Sequence, residues 1–260
     1  AGWVAGGGGC VPSCWEKVSV KGRGMDVYAG VPDGPGPFPA VVVAQHASGV
    51  DKFIQDMADK LATAGYAAVA PDLFHRITDE MVESTGKPKR DQLSDPLIID
   101  DINATVGFLA GHPAIDSDRI GITGFCMGGR VTWLAAATIP AIKAAVPYYG
   151  GNIMVPWGDA TEPPLALTPG IKCPVLFHFG EIDENPSQAD MLVLDRELSA
   201  NSVPHRFYTY PGANHAFMNP ANPPRYQRVA AEMSWPRTMD FFGTHLNGPP
   251  TPGYDGPACE

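Results

Sequence analysis

The feature that most limits the architecture is a set of short, unbroken apolar runs separated by segments of helical spacing. AVVVAQ (40–45), AAVAPDLF (67–74) and PVLFHFG (174–180) are such runs. A strand that is apolar at nearly every position has no solvent face, so it belongs in a parallel sheet covered on both sides. Between the first two runs, Phe53, Met57, Leu61 and Ala64 recur at helical spacing and Gly65 ends the pattern. The alternation continues with a helix over 97–112, a strand over 118–125, a helix over 127–139 and a strand over 144–150. After the strand at 174–180 come a helix over 187–201, a strand over 205–211 and a terminal helix over 225–246, which Pro236 is expected to kink or split. This order predicts an α/β fold with a mostly parallel central sheet and helices on both faces. Residues 15–22 and 24–32 alternate polar and apolar, as in a hairpin added antiparallel at one edge. Polar, Pro-containing stretches at 75–96 and 151–172 read as surface loops. The chain divides into a Gly-rich head (1–14), one domain (15–246) and a Pro/Gly-rich tail (247–260).

Composition narrows the function classes. A chain of 260 residues with 44% hydrophobic content can bury a sizeable core. A net charge of −10 repels nucleic acid and anionic membranes, so neither is expected as a partner. No run of about 18 apolar residues exists, so no bilayer span is expected. The opening AGWVAGGGG has no basic and no apolar segment of the signal-peptide kind. Five cysteines, Cys10, Cys14, Cys126, Cys173 and Cys259, are an odd number. Read as free thiols they place the protein in the cytoplasm; bridges among Cys10, Cys14 and Cys259 would mean secretion.

The stretch GITGFCMGGR (121–130) carries the chemistry. A strand, the pattern Gly-x-Cys-x-Gly and a helix follow each other directly, which is the nucleophile-elbow arrangement with Cys126 at its tip. Gly124 and Gly128 let the strand and helix approach. Cys126 then caps a helix N-terminus, where the dipole favours thiolate, and the Met127 N–H points where an oxyanion forms. A nucleophile of this type needs a base and an orienting acid further along the chain, in the order acid then histidine. His215, in YPGANHAF beyond the strand 205–211, is the base. For the acid, FHFGEIDENP offers Asp183 beyond the strand 174–180, with Glu181 as runner-up and Glu184 and Asn185 as rival caps or acids.

With these pieces in hand, the chain resembles the dienelactone hydrolases, also called carboxymethylenebutenolidases. The matching segments are VVVAQHASGVD, GYAAVAPDLF, DRIGITGFCMGGR, YYGG, VLFHFGEID and YPGANHAFMN, in family order over roughly 15–246. The resemblance implies an α/β-hydrolase fold and selects Asp183 for a Cys126–Asp183–His215 triad. It also implies hydrolysis of esters or lactones through a thioester acyl-enzyme, with the Ala47 N–H as second oxyanion donor and no cofactor or metal. Where the family has a glutamate, two residues before Ser48, this chain has His46. Where the family's histidine is followed by a Ser and an Arg that bind a substrate carboxylate, this chain has Ala216 and Asn219, and Arg90 is the one candidate for a second substrate arginine. The expected substrate is therefore a neutral ester or lactone. His46, His75 and Arg76, near strand ends, are expected in the substrate pocket together with Ala216 and Asn219, and Trp157 at its border. Two alternatives are a promiscuous short-chain carboxylesterase and a catalytically silent binding protein of the same fold. Either a monomer or a homodimer is compatible with the sequence.

Overall fold

The computed structural model describes residues 13–246. The possible bridges of Cys10 and Cys259 therefore lie outside the described residues. Eight strands form one sheet: β1 Cys14–Val20, β2 Arg23–Gly30, β3 Phe38–Ala44, β4 Ala67–Pro71, β5 Ile115–Phe125, β6 Ile142–Tyr148, β7 Val175–Gly180 and β8 His205–Tyr210. Their order across the sheet is β1-β2-β4-β3-β5-β6-β7-β8. The β1–β2 hairpin is antiparallel and β2 runs antiparallel to β4; every other pairing is parallel.

The apolar runs are buried on both sides for the reason their sequences give. Ala40, Val42 and Ala44 of β3 face one hydrophobic cluster, and Val41 and Val43 face the other. In β4, Ala67 and Val69 alternate with Ala68 and Ala70 in the same way. Helices α1 (Lys52–Thr63) and α6 (Arg228–His245) cover one face. The other is covered by α3 (Asp95–Ala110), α4 (Met127–Thr138) and α5 (Gln188–Ala200). Helix α1 starts where Asp51 accepts hydrogen bonds from the N–H groups of Phe53 and Ile54.

Three segments differ from the sequence-based expectation. The excursion 75–96 contains a helix, α2 (Asp79–Thr85), capped by Thr78 and ended by Gly86 at φ 65; none of its residues is buried. The stretch 151–172 is anchored by a 3-10 segment, Pro164–Gly170, whose buried Thr168 receives the indole N–H of Trp133 at 3.3 Å. Helix α6 continues through Pro236 as a single element, so the proline does not split it. A proline in a helix interior costs about 3 kcal/mol. That cost is outweighed because Ser234, Thr238, Met239 and Phe242 of the same helix are buried.

At the carboxyl ends of β3 and β5 the backbones come closer than any side chain allows. A Cβ on Gly124 would run into the carbonyl of Gly128, and a Cβ on Gly128 would run into the carbonyl of Ala44. Neither obstacle is the flexible end of a side chain, so neither can swing aside. Gly124→Ala and Gly128→Ala are each expected to lower unfolding free energy by about 1–3 kcal/mol or more. Urea denaturation checks this; a midpoint equal to that of the unmutated protein would contradict the packing.

Candidate active site

Cys126 sits in the turn between β5 and α4 at φ 59, ψ −118. This conformation is uncommon for a residue with a side chain and costs on the order of 1–3 kcal/mol. The surroundings hold it: its N–H donates to Tyr148 O at 3.1 Å and its carbonyl accepts from Gly129 N at 2.9 Å. The strained turn lifts the sulfur above the end of the sheet, half-buried, at the floor of a cavity of about 700 Å³.

His215 and Asp183 arrive from the ends of β8 and β7. The carboxylate of Asp183 is 2% exposed and its Oδ2 accepts from His215 Nδ1 at 2.9 Å. Its other oxygen accepts from the Asn185 N–H at 2.9 Å, so neither oxygen is left unpaired. Nδ1 is committed to Asp183, and the imidazole stands close enough to Cys126 to help lower its thiol pKa. Tyr149 packs beside the imidazole, 5.2 Å between ring centres. Glu181, the runner-up acid, is engaged elsewhere: it accepts from the Gly212 N–H at 2.8 Å.

The electrostatics favour separated charge. Burial alone would push the Cys126 thiol up. The hydrogen bond and positive charge of His215, together with the N–H groups of Met127 and Ala47, outweigh it and bring the thiol below its ordinary value. Burial likewise works against a charged His215, but the hydrogen bonds to Asp183 and Cys126 raise its pKa to about 9. The two N–H groups that bond the sulfur come from different elements, Met127 at the start of α4 and Ala47 just after β3.

The other sequence-predicted residues divide. Trp157 and Arg90 line the cavity. His46 does not: its Nε2 lies 2.9 Å from Asp51 Oδ1, off the angle of a hydrogen bond, and its ring packs on Phe53. His75 and Arg76 also turn away. They share the buried carboxylate of Asp101 on α3, His75 Nε2 at 3.1 Å and Arg76 Nη1 at 2.5 Å. Ala216 occupies a left-handed position at φ 63. Asn219 uses its Oδ1 to accept from Ala221 N and lines a separate groove between α1 and α6. Neither Ala216 nor Asn219 borders the cavity over Cys126. In their place the wall includes Asn185, read from the sequence only as a rival cap or acid, and Asn152, Asn214 and Arg225, which the sequence does not single out. They sit on irregular segments with no periodicity, so no pattern marks them. Among the described residues no cluster of His, Cys, Asp and Glu could hold a metal, and no helix is long and apolar enough to cross a membrane.

A mostly parallel eight-stranded sheet with a nucleophile elbow at the end of β5 defines an α/β hydrolase. The model of the dienelactone hydrolase family matches residues 25–246. A protein of Methylorubrum extorquens named "Putative carboxymethylenebutenolidase" is 33% identical over 87% of this chain and 79% of its own. One of the same name from Synechocystis is 32% identical over 88% of this chain and 96% of its own. A crystal structure described as "Putative Dienelactone Hydrolase" from Klebsiella pneumoniae superimposes with a TM-score of 0.80 at 30% identity, covering 90% of this chain and 99% of that one. The chain belongs to the dienelactone hydrolase family and is an enzyme of that hydrolase class.

Because the thiol lies below its ordinary value, iodoacetamide should alkylate Cys126 with a half-maximal pH lower than that of a free cysteine in the same assay. His215→Asn removes the positive partner and leaves the burial, so the limb should move to higher pH. Rates measured from pH 5 to 10 decide; an unmoved limb would separate the imidazole from the sulfur.

Proposed function

We propose that the enzyme cleaves carboxylic esters or lactones through a Cys126–His215–Asp183 triad and a thioester acyl-enzyme. The observation that carries this reading is the 2.9 Å pair of His215 with Asp183, set beside a thiol at the elbow whose pKa His215 lowers. Cys126 sulfur attacks the substrate carbonyl carbon. The carbonyl oxygen takes up the negative charge and is held by the Met127 and Ala47 N–H groups, each worth about 3 kcal/mol in sites of this kind. As the tetrahedral intermediate collapses, the carbon–oxygen bond to the leaving group breaks and the imidazolium proton of His215 goes to that oxygen. An acyl thioester remains on Cys126. His215, neutral again, takes a proton from water, the hydroxide attacks the thioester, and the acid leaves as sulfur regains its pairing with imidazolium. Asp183 holds the Nδ1–H throughout and so fixes tautomer and direction.

The substrate reading follows the wall. Positions 216 and 219, which in the resemblance hold a carboxylate clamp, carry no charge and lie off the cavity. Arg90 and Arg225 line it, but so do Asp91 and Glu184, so the wall is mixed in sign. A neutral ester or lactone fits this balance. The volume, about 700 Å³, is in the middle of the range for small-molecule sites and exceeds the need of a single lactone ring. That favours a second reading, a broad short-chain carboxylesterase. A thiol brought below its ordinary value argues against a silent binding protein.

Cys126→Ala is expected to abolish turnover of a chromogenic acetate ester while unfolding at the temperature of the unmutated protein. Mass spectrometry after rapid acid quench should find the acyl group on the peptide containing Cys126. Full turnover by the alanine variant would end the assignment. A panel of neutral lactones against acetate and butyrate esters, scored by kcat/KM, separates lactonase from carboxylesterase.

A further inference from the structure

Asp183 is braced on the side away from His215, and the brace leads back to the nucleophile's own helix. The Asn185 N–H on Asp183 Oδ1 belongs to a residue paired twice with Asn152. Asn185 Oδ1 accepts from Asn152 N at 3.1 Å, and Asn185 Nδ2 donates to Asn152 Oδ1 at 3.3 Å. The approach is close enough that a Cβ on Gly151 would strike the Asn185 carboxamide. Asn152 itself sits at φ 56, a region that asparagine tolerates better than most residues. Its carbonyl accepts from Arg130 Nε at 3.0 Å.

Arg130 lies one turn beyond Cys126 on α4 and is fully buried. Its Nη1 and Nη2 grip the two carboxylate oxygens of Asp95 at 2.5 and 2.9 Å, and Nη2 also donates to Val155 O at 2.6 Å. The plane of the guanidinium lies 3.8 Å from the Trp157 ring centre. Asp95 completes the tie, accepting from Trp157 N at 3.0 Å and donating its own N–H to Trp157 O at 3.1 Å. One side chain therefore joins α4, the start of α3 and the cavity-wall segment 152–157. A buried ion pair of this kind is often no more stabilising than apolar side chains of equal volume. What the planar fork adds is fixed geometry on several partners at once, which a lysine cannot supply.

We propose that Arg130 is a positioning residue, holding Asp183, and through it His215, in line with Cys126 by way of Asn152 and Asn185. The inference rests on the triad reading of the function. The ring closes on itself: Arg130 and Cys126 share α4, so the base is set relative to the same rigid body that carries the nucleophile. The titratable groups that act on His215 are Cys126 and Asp183, with Arg90, Asp91, Glu184 and Arg225 on the same cavity wall.

Two variants test it. Asn185→Ala removes both carboxamide bonds but leaves the Arg130–Asp95 pair, so the fold is kept. Arg130→Lys loosens the whole tie. A misplacement near 1 Å can cost up to about a hundredfold, so kcat/KM should fall about tenfold in Asn185→Ala and further in Arg130→Lys. A loosened Asp183 holds the imidazolium less well, so the alkylation limb of Cys126 should move to higher pH in both variants. Unfolding temperature should drop only in Arg130→Lys. If Asn185→Ala keeps the kcat/KM and alkylation profile of the unmutated enzyme, while Cys126→Ala is inactive, the relay is overturned and the triad stands. If Cys126→Ala retains full turnover, the triad reading falls and this inference with it.

Discussion

Everything at the site depends on three backbones meeting without side chains between them. Gly124 on β5, Gly128 on α4 and the Ala44 carbonyl at the end of β3 approach so closely that one methyl group would force them apart. Because α4 rests directly on the end of β3, the turn between β5 and α4 has no room for relaxed dihedrals, and Cys126 is held at φ 59. The same contact brings the first N–H of α4 and the N–H of Ala47 onto one sulfur. The two N–H groups and the sulfur, to which the proposed mechanism gives the parts of oxyanion donors and nucleophile, are thus placed by a single packing event. Strain at Cys126 is sustained by the burial of the flanking elements, the usual way such strain persists.

The charge state of that sulfur is a contest with a clear winner. Desolvation is the largest single influence and favours the neutral thiol. Four separate effects oppose it: a hydrogen bond and a positive charge from His215, and two backbone N–H groups. Position 46 matters for what it withholds. In the family resemblance a carboxylate stands there, and a negative charge next to sulfur disfavours thiolate. Here His46 is drawn to Asp51, the cap of α1, and brings no negative charge to the sulfur. These interactions shift the pair toward thiolate with imidazolium.

What was legible in the sequence was whatever is encoded locally. The unbroken apolar runs led to buried parallel strands, because burial on both faces leaves no position for a polar residue. Gly-x-Cys-x-Gly between a strand and a helix identified the elbow. His75 and Arg76 show where local reading stops. They follow β4 at the end of the sheet where sites form, but the chain turns toward α3 and both side chains serve Asp101. Position at a strand end does not give side-chain direction. Pro236 was overruled by the buried face of its own helix. Arg130 gave no signal, since an arginine on a helix normally reads as solvated; its partner Asp95 lies 35 residues away.

Helix α4 links these two levels of organisation. Its first turn presents an N–H group beside the Cys126 sulfur; its second presents a guanidinium that fastens the neighbouring wall. The chemistry lies on strand ends and a helix terminus, which are rigid. Much of the cavity wall lies outside the strands and α-helices, the exposed Arg90 and Arg225 and the half-buried Trp157 among it. Such segments tolerate change because little packs behind them. The exception is the stretch from Asn152 to Trp157, which Arg130 and Asp95 tie down from inside. Within this wall, then, change around Arg90 and Arg225 can alter which ester or lactone enters without disturbing the sulfur, whereas change near Asn152 reaches Asp183, the acid of the proposed triad.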